Sequence, residues 1–166
     1  MTHDIMSQSF NNLNDENQQF LIKVVELLEN AYFAEIETVI NYISIFNNLK
    51  GIKSEPVKNI LKNEIQDGFR HAQEIANRIR ILGFIVPSSK LFRESALSDG
   101  QKKISTNNGN LLDSTMQSIV AIEAEAINIY KEIIDMTAEK DPGTADLATT
   151  LLRDEEDHYR TFSRFI

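Results

Sequence analysis

Glutamates and histidines interrupt otherwise apolar helical stripes in this chain, at positions where a helix should bury its side chains. In the C-terminal stretch, Leu151, Glu155, His158, Phe162 and Phe165 alternate by four and three residues, the spacing of a single helical face. Glu155 and His158 are three apart, so both can reach one metal pair. Glu35 interrupts the stripe Leu21, Val25, Leu28, Tyr32, Val39, Tyr42, Phe46, Leu49. Glu123 stands alone among Leu112, Met116, Ile119, Ala126, Tyr130 and Ile133. His71 lies on a stripe with Val57, Leu61, Glu64, Gly68, Ile75 and Leu82. An unpaired buried carboxylate costs several kcal/mol and tends to neutralise. Two divalent cations at the centre would remove that cost. A set of carboxylate oxygens and imidazole nitrogens suits Fe(II) or Mn(II), and Zn(II) is also accepted.

A solvated acidic face is the ordinary explanation of such a cluster, and Glu-x-x-His recurs by chance. A concealed repeat argues for the metal. Tyr42 follows Glu35 by seven residues, and Tyr130 follows Glu123 by seven. The Glu35 to His71 and Glu123 to His158 separations are nearly equal, and "DGFRH" (67–71) aligns with "DEEDH" (154–158). Each half thus offers one lone glutamate and one histidine at matching heights, as two halves related by a pseudo-twofold axis would. Tyr42 and Tyr130 are expected to pack in the core, each hydroxyl finding a carboxylate partner.

The elements that must position these groups are four long helices. The first is expected over roughly 16–49, after a flexible polar tail (1–15) that contains no Lys or Arg. "KGIKSEP" ends it, with Ser54 as a cap and Pro56 in the first turn of the second helix, which runs to about Leu82. Residues 83–110 have Gly and Ser clusters and no sustained period, and read as a long connection with a helical turn near Phe92–Leu97. The third helix runs from Leu111 to about Ala138. Asp141 and Pro142 then start the fourth, which continues to the C-terminus. Short, long, short connections give an all-α antiparallel four-helix bundle over 16–166, with a long crossover between helices 2 and 3.

Composition bounds the function. The 166 residues suit one domain, and a net charge of −8 disfavours nucleic-acid binding. No apolar run approaches a membrane span. The chain has no cysteine, which excludes thiolate sites and fits a cytoplasmic protein.

Three segments, "ENAYFAEIETVINY", "IVAIEAEAINIYKE" and "LLRDEEDHYRTF", resemble the first, third and fourth helices of the ferritin-like superfamily. The chain is most similar to bacterioferritins and to Dps-like proteins that carry a bacterioferritin-type dinuclear site. The resemblance implies that Glu35 and His71 hold one iron, Glu123 and His158 the other, and that Glu155 bridges them; Glu35, Glu123 and Glu155 would be the reactive carboxylates. It also implies Fe(II) oxidation by O2 or hydrogen peroxide, iron storage or detoxification, and a homo-oligomeric, dodecameric cage.

The pattern departs from the family at Gly68, where a bridging Glu is expected three residues before His71. Asp67, four before His71, can share a metal with it and is the expected partial replacement. Glu64, about 10 Å from His71 along the helix axis, fits an access path better than the same coordination sphere. With Glu123, Glu155 and His158 complete, that half is expected to bind metal more tightly. Phe69 stands where bacterioferritins place a haem-ligating methionine, so no haem is expected. The alternatives are a non-storage di-iron or di-manganese enzyme, peroxidase- or catalase-like, and a helical module whose site has decayed.

Overall fold

A computed structural model describes residues 15–88 and 111–166. Four helices carry the fold: α1 (Asp15–Asn48), α2 (Glu55–Ile81), α3 (Leu111–Thr137) and α4 (Pro142–Phe162). The expected tail up to residue 14 and the expected turn at Phe92–Leu97 lie outside the described residues.

Each boundary has a local cause. Gly83, at φ +92°, takes the left-handed position after α2. Its N–H donates to the Arg80 carbonyl, and that of Phe84 to the Ile79 carbonyl, the paired bonds that satisfy a helix C-terminus. At α4, Asp141 accepts from the Thr144 N–H at 3.1 Å, with Pro142 in the first turn. The Arg78 guanidinium bonds both Asp141 and the Thr144 hydroxyl, fastening α2 to the start of α4. Ser54 does precede α2, but its hydroxyl donates back to the Lys50 carbonyl at 3.0 Å instead of capping. Phe165 was expected on the inward stripe. The chain tightens into a 3-10 turn at Ser163–Phe165, and this ring is 38% exposed.

Contacts across the bundle fix the topology. Tyr130 meets Glu35 and Glu123 meets Tyr42, so α3 runs antiparallel to α1. His71 meets Glu35, and Gly68 faces Val39, so α2 is antiparallel to α1 as well. Helices α2 and α3 are therefore parallel. Since α2 is about 40 Å long at 1.5 Å per residue, the end of α2 and the start of α3 lie at opposite ends of the bundle. This is the one-crossover arrangement.

The interior is layered. One apolar cluster joins Val24, Leu28, Ile75, Ile79, Ile133 and Leu151. Another joins Ile45, Val57, Leu61, Met116, Ile119 and Phe162. Each fully buried aliphatic or Phe side chain stabilises the fold by roughly 1.5–3 kcal/mol. Between the two lies a layer of buried ionisable groups, held in place by apolar packing above and below.

Candidate metal centre

Glu35, His71, Glu123 and Glu155 are all buried, with His71 at 0% and Glu123 at 1% exposure. Each comes from a different helix, and His158 of α4 joins them with only 14% of its side chain exposed.

Glu155 stands at the middle. One of its oxygens, Oε1, lies 2.9 Å from His71 Nδ1, and the other, Oε2, lies 3.2 Å from His158 Nδ1. Glu35 Oε1 is 3.4 Å from His71 Nδ1, and Glu123 Oε2 is 3.9 Å from His158 Nδ1. The two imidazoles are nearly parallel, 6.2 Å apart. Two three-residue groups result, Glu35–His71–Glu155 and Glu123–Glu155–His158, each with its ligand atoms within 4.8 Å of one another. Because Glu155 faces both rings, it belongs to both groups.

The surrounding groups repeat the pseudo-twofold relation with partners exchanged. Tyr130 on α3 donates to Glu35 on α1, and Tyr42 on α1 donates to Glu123 on α3. Asp154 Oδ2 sits 3.2 Å from His71 Nε2, where the Arg70 guanidinium also bonds it at 2.7 Å. Asp67, the counterpart of Asp154, is directed to His158 Nε2 at 4.0 Å and not to His71. Glu64 also differs from its expected place. Its Oε2 lies 2.8 Å from His158 Nε2, and the residue is buried at 8% exposure. Asp154 escaped sequence reasoning, although the alignment of "DGFRH" with "DEEDH" contained the signal.

Gly68 is tightly enclosed. A Cβ there would lie 2.8 Å from Val39 Cγ2 and 3.6 Å from Glu35 Oε2. Val39 is β-branched and holds one rotamer in a helix, so it cannot swing aside freely. Replacing a helical glycine by alanine gains about 1 kcal/mol of propensity, whereas overpacking costs roughly 1–3 kcal/mol. The clash wins. Gly68→Ala is therefore expected to lower stability in a urea melt, and Gly68→Glu to lower it further. An unchanged midpoint for Gly68→Ala would show that Val39 yields.

The buried groups shift one another's protonation strongly. Burial and the hydrogen bond with Glu155 push the Glu123 carboxyl up to about 9. Burial alone would raise Glu155, yet the imidazoles of His158 and His71 hold it well below the usual carboxylate range. Burial alone would lower His71, but the Glu155 and Glu35 carboxylates outweigh it and bring the ring up to about 10. His158, likewise depressed by burial, is carried to about 11 by Glu155 and Glu64. His71 Nδ1 and Glu64 Oε2 are buried without a hydrogen bond of proper geometry, despite their close neighbours. Oxygens and nitrogens that converge without hydrogen-bond alignment fit a divalent cation of the Fe, Mn or Zn class.

Comparison with known proteins agrees with the fold. The sequence model of the family described as "Ferritin-like domain" matches residues 25–166. A DNA protection during starvation protein from Pyrococcus furiosus is 28% identical over 144 residues, covering 87% of this chain and 77% of that protein. Among solved structures, the dodecameric thioferritin of Bacteroides fragilis, a bacterioferritin-related protein, superposes with a TM-score of 0.72 at 23% identity, covering 99% of this chain and 90% of its own. The bacterioferritin of Desulfovibrio desulfuricans, solved with its diiron site in different catalytic states, gives 0.71 at 22% identity, covering 89% of this chain and 80% of its own.

Proposed function

Because the chain belongs to the ferritin-like domain family, we propose that it binds two ferrous ions in the bundle core and oxidises them, for iron storage or detoxification. The observation that carries this reading is Glu155, one oxygen against each imidazole, with one further buried glutamate beside each ring. Glu35 and His71 would hold one ion, Glu123 and His158 the other, with Glu155 shared. Iron is the substrate: each ferrous ion gives up one electron, and one O2 or hydrogen peroxide molecule accepts the pair with two protons.

The protein's own groups have distinct parts in this. Tyr42 and Tyr130 orient the terminal glutamates by donating to them. The apolar clusters on either side exclude bulk water and so strengthen the electrostatics of the layer. Asp154, tied to Arg70, fixes the ring of His71 from behind, as partners behind a ligating histidine do.

Ligands must lose their protons to bind metal. With His71 raised to about 10 and His158 to about 11, both rings hold protons in the metal-free protein at neutral pH. Binding therefore releases protons, and affinity is expected to keep rising with pH from about 6 to 9, past the ordinary histidine value of about 6.5. Calorimetry with Mn(II) in buffers of different ionisation enthalpy would measure this. A plateau above pH 7 would contradict the raised values.

Storage needs a hollow shell, and we propose a homododecamer. The dodecameric Bacteroides fragilis relative supports it, as do Ile22, Ile40 and Ile43, which α1 leaves 42–51% exposed. Light scattering at micromolar concentration should give a mass about twelve times that of the 18.9 kDa chain. A monomer or dimer would support a small oxidising enzyme instead. The charge of −8 disfavours contact with phosphate backbones, so any protection of DNA would come from removing Fe(II) and peroxide. Aerobic addition of Fe(II) with oxygen-electrode detection tests the oxidation, and consumption no faster than in buffer would refute it.

A further inference from the structure

The pseudo-twofold symmetry breaks at the outer nitrogens of the two histidines. Nε2 of His71 is closed off by Asp154 and by the Arg70 guanidinium at 3.0 Å. In the other half, the residue aligned with Arg70 is Asp157, an exposed carboxylate paired with Arg160. No cation covers Nε2 of His158 among the described contacts. It faces Glu64 Oε2 at 2.8 Å and Asp67 Oδ2 at 4.0 Å. In the aligned repeat the position of Glu64 is taken by Leu151, so this buried carboxylate has no counterpart.

We infer that Glu64, Asp67 and Nε2 of His158 form an additional divalent-cation position just outside the dinuclear centre. Three observations carry it. The ligand atoms of these residues lie within 4.8 Å of one another. Two ligands on one ion at about 2.1 Å each can stand no more than about 4.2 Å apart, and both measured separations to Nε2 fall inside that limit. Glu64 Oε2 is buried and aimed at the ring, yet it makes no hydrogen bond of proper geometry. Asp67 Oδ1 is taken by Arg70, leaving Oδ2 toward His158, and the Asp67 side chain is 39% exposed. The position is thus open to solvent on one side and closed by a buried carboxylate on the other. Three protein ligands leave coordination sites for water, as suits a hydrated ion of the Zn(II), Co(II) or Fe(II) class.

This position rests on the dinuclear reading in one respect, since His158 serves both through opposite ring nitrogens. A neutral imidazole has one free lone pair, so an ion outside competes with one at Glu123. Gly68 makes the competition effective, because no carboxylate from that residue can hold an ion at the inner place.

The test is titration of metal-free full-length protein with Co(II), followed by calorimetry and visible absorption. The parent should show a weaker class of bound cobalt that, as it fills, displaces part of the cobalt held at Glu123. Glu64→Gln should lose that class, and Asp67→Asn, at a half-exposed position with little bearing on folding, should weaken it about tenfold or more. Glu123→Gln should instead deplete the core ions and leave the outer class in place. Parent-like binding by both Glu64→Gln and Asp67→Asn would overturn the outer position while leaving the dinuclear reading intact. A parent that binds no cobalt would overturn both.

Discussion

Glu155→Gln is expected to abolish tight metal binding at both core positions, while Glu156→Gln, its exposed neighbour, changes nothing. The amide keeps the shape of the side chain and removes its charge. Among the described residues, Glu155 is the only carboxylate with an oxygen near each imidazole, 2.9 Å from His71 and 3.2 Å from His158. The enclosed Gly68 offers no second bridge. Losing a partner behind a ligand costs 10–100-fold in affinity, so loss of a ligand shared by two ions should cost at least about 100-fold at each. Mn(II) titration followed by electron paramagnetic resonance would measure it. Retention of one tight ion would show that Glu155 belongs to a single position. By the same logic His158→Ala should lose more cation than His71→Ala, because two groups depend on His158.

Metal should also stabilise the fold strongly. The core buries Glu35, Glu64, Glu123 and Glu155 with His71, and without metal their desolvation is offset by bound protons, their contacts with one another and hydrogen bonds from Tyr42 and Tyr130. A cation that binds the native state alone and is present at 1,000 times its dissociation constant adds about 4.1 kcal/mol. For a chain of this size each kcal/mol raises the melting temperature by about 2–4 °C, so the expected gain is about 8–16 °C. Thermal scans with and without Mn(II), and after treatment with a chelator, would show it. A shift below a few degrees would mean that the buried layer is already satisfied without metal.

Much of this was readable in the sequence, because helix periodicity and the chemistry of the interrupting residues point to the same face. Glu35, Glu123 and Glu155 interrupt apolar stripes, and the structure buries each of them in one layer. What escaped depends on distances across the bundle. Glu64 looks remote from the centre when measured along α2 from His71. Its neighbour is His158, on an antiparallel helix whose height the sequence alone does not set. Asp67 was assigned to His71 by its spacing of four, yet it leans toward the opposite histidine, as Asp154 does in the other half. Gly68 read as a missing ligand, and only packing shows that Val39 fills the space. Phe165 fitted the stripe by number but fell beyond the last α-helical turn, where the 3-10 geometry rotates it outward.

The central claim, that Glu35, His71, Glu123, Glu155 and His158 hold two metal ions as a pair, is most directly tested by anomalous diffraction at the iron edge from crystals loaded anaerobically with Fe(II). Two peaks are expected inside each four-helix bundle, about 3.5–4 Å apart, with Glu155 between them. Iron found only at surface carboxylates, or no anomalous peak in the buried layer, would contradict it.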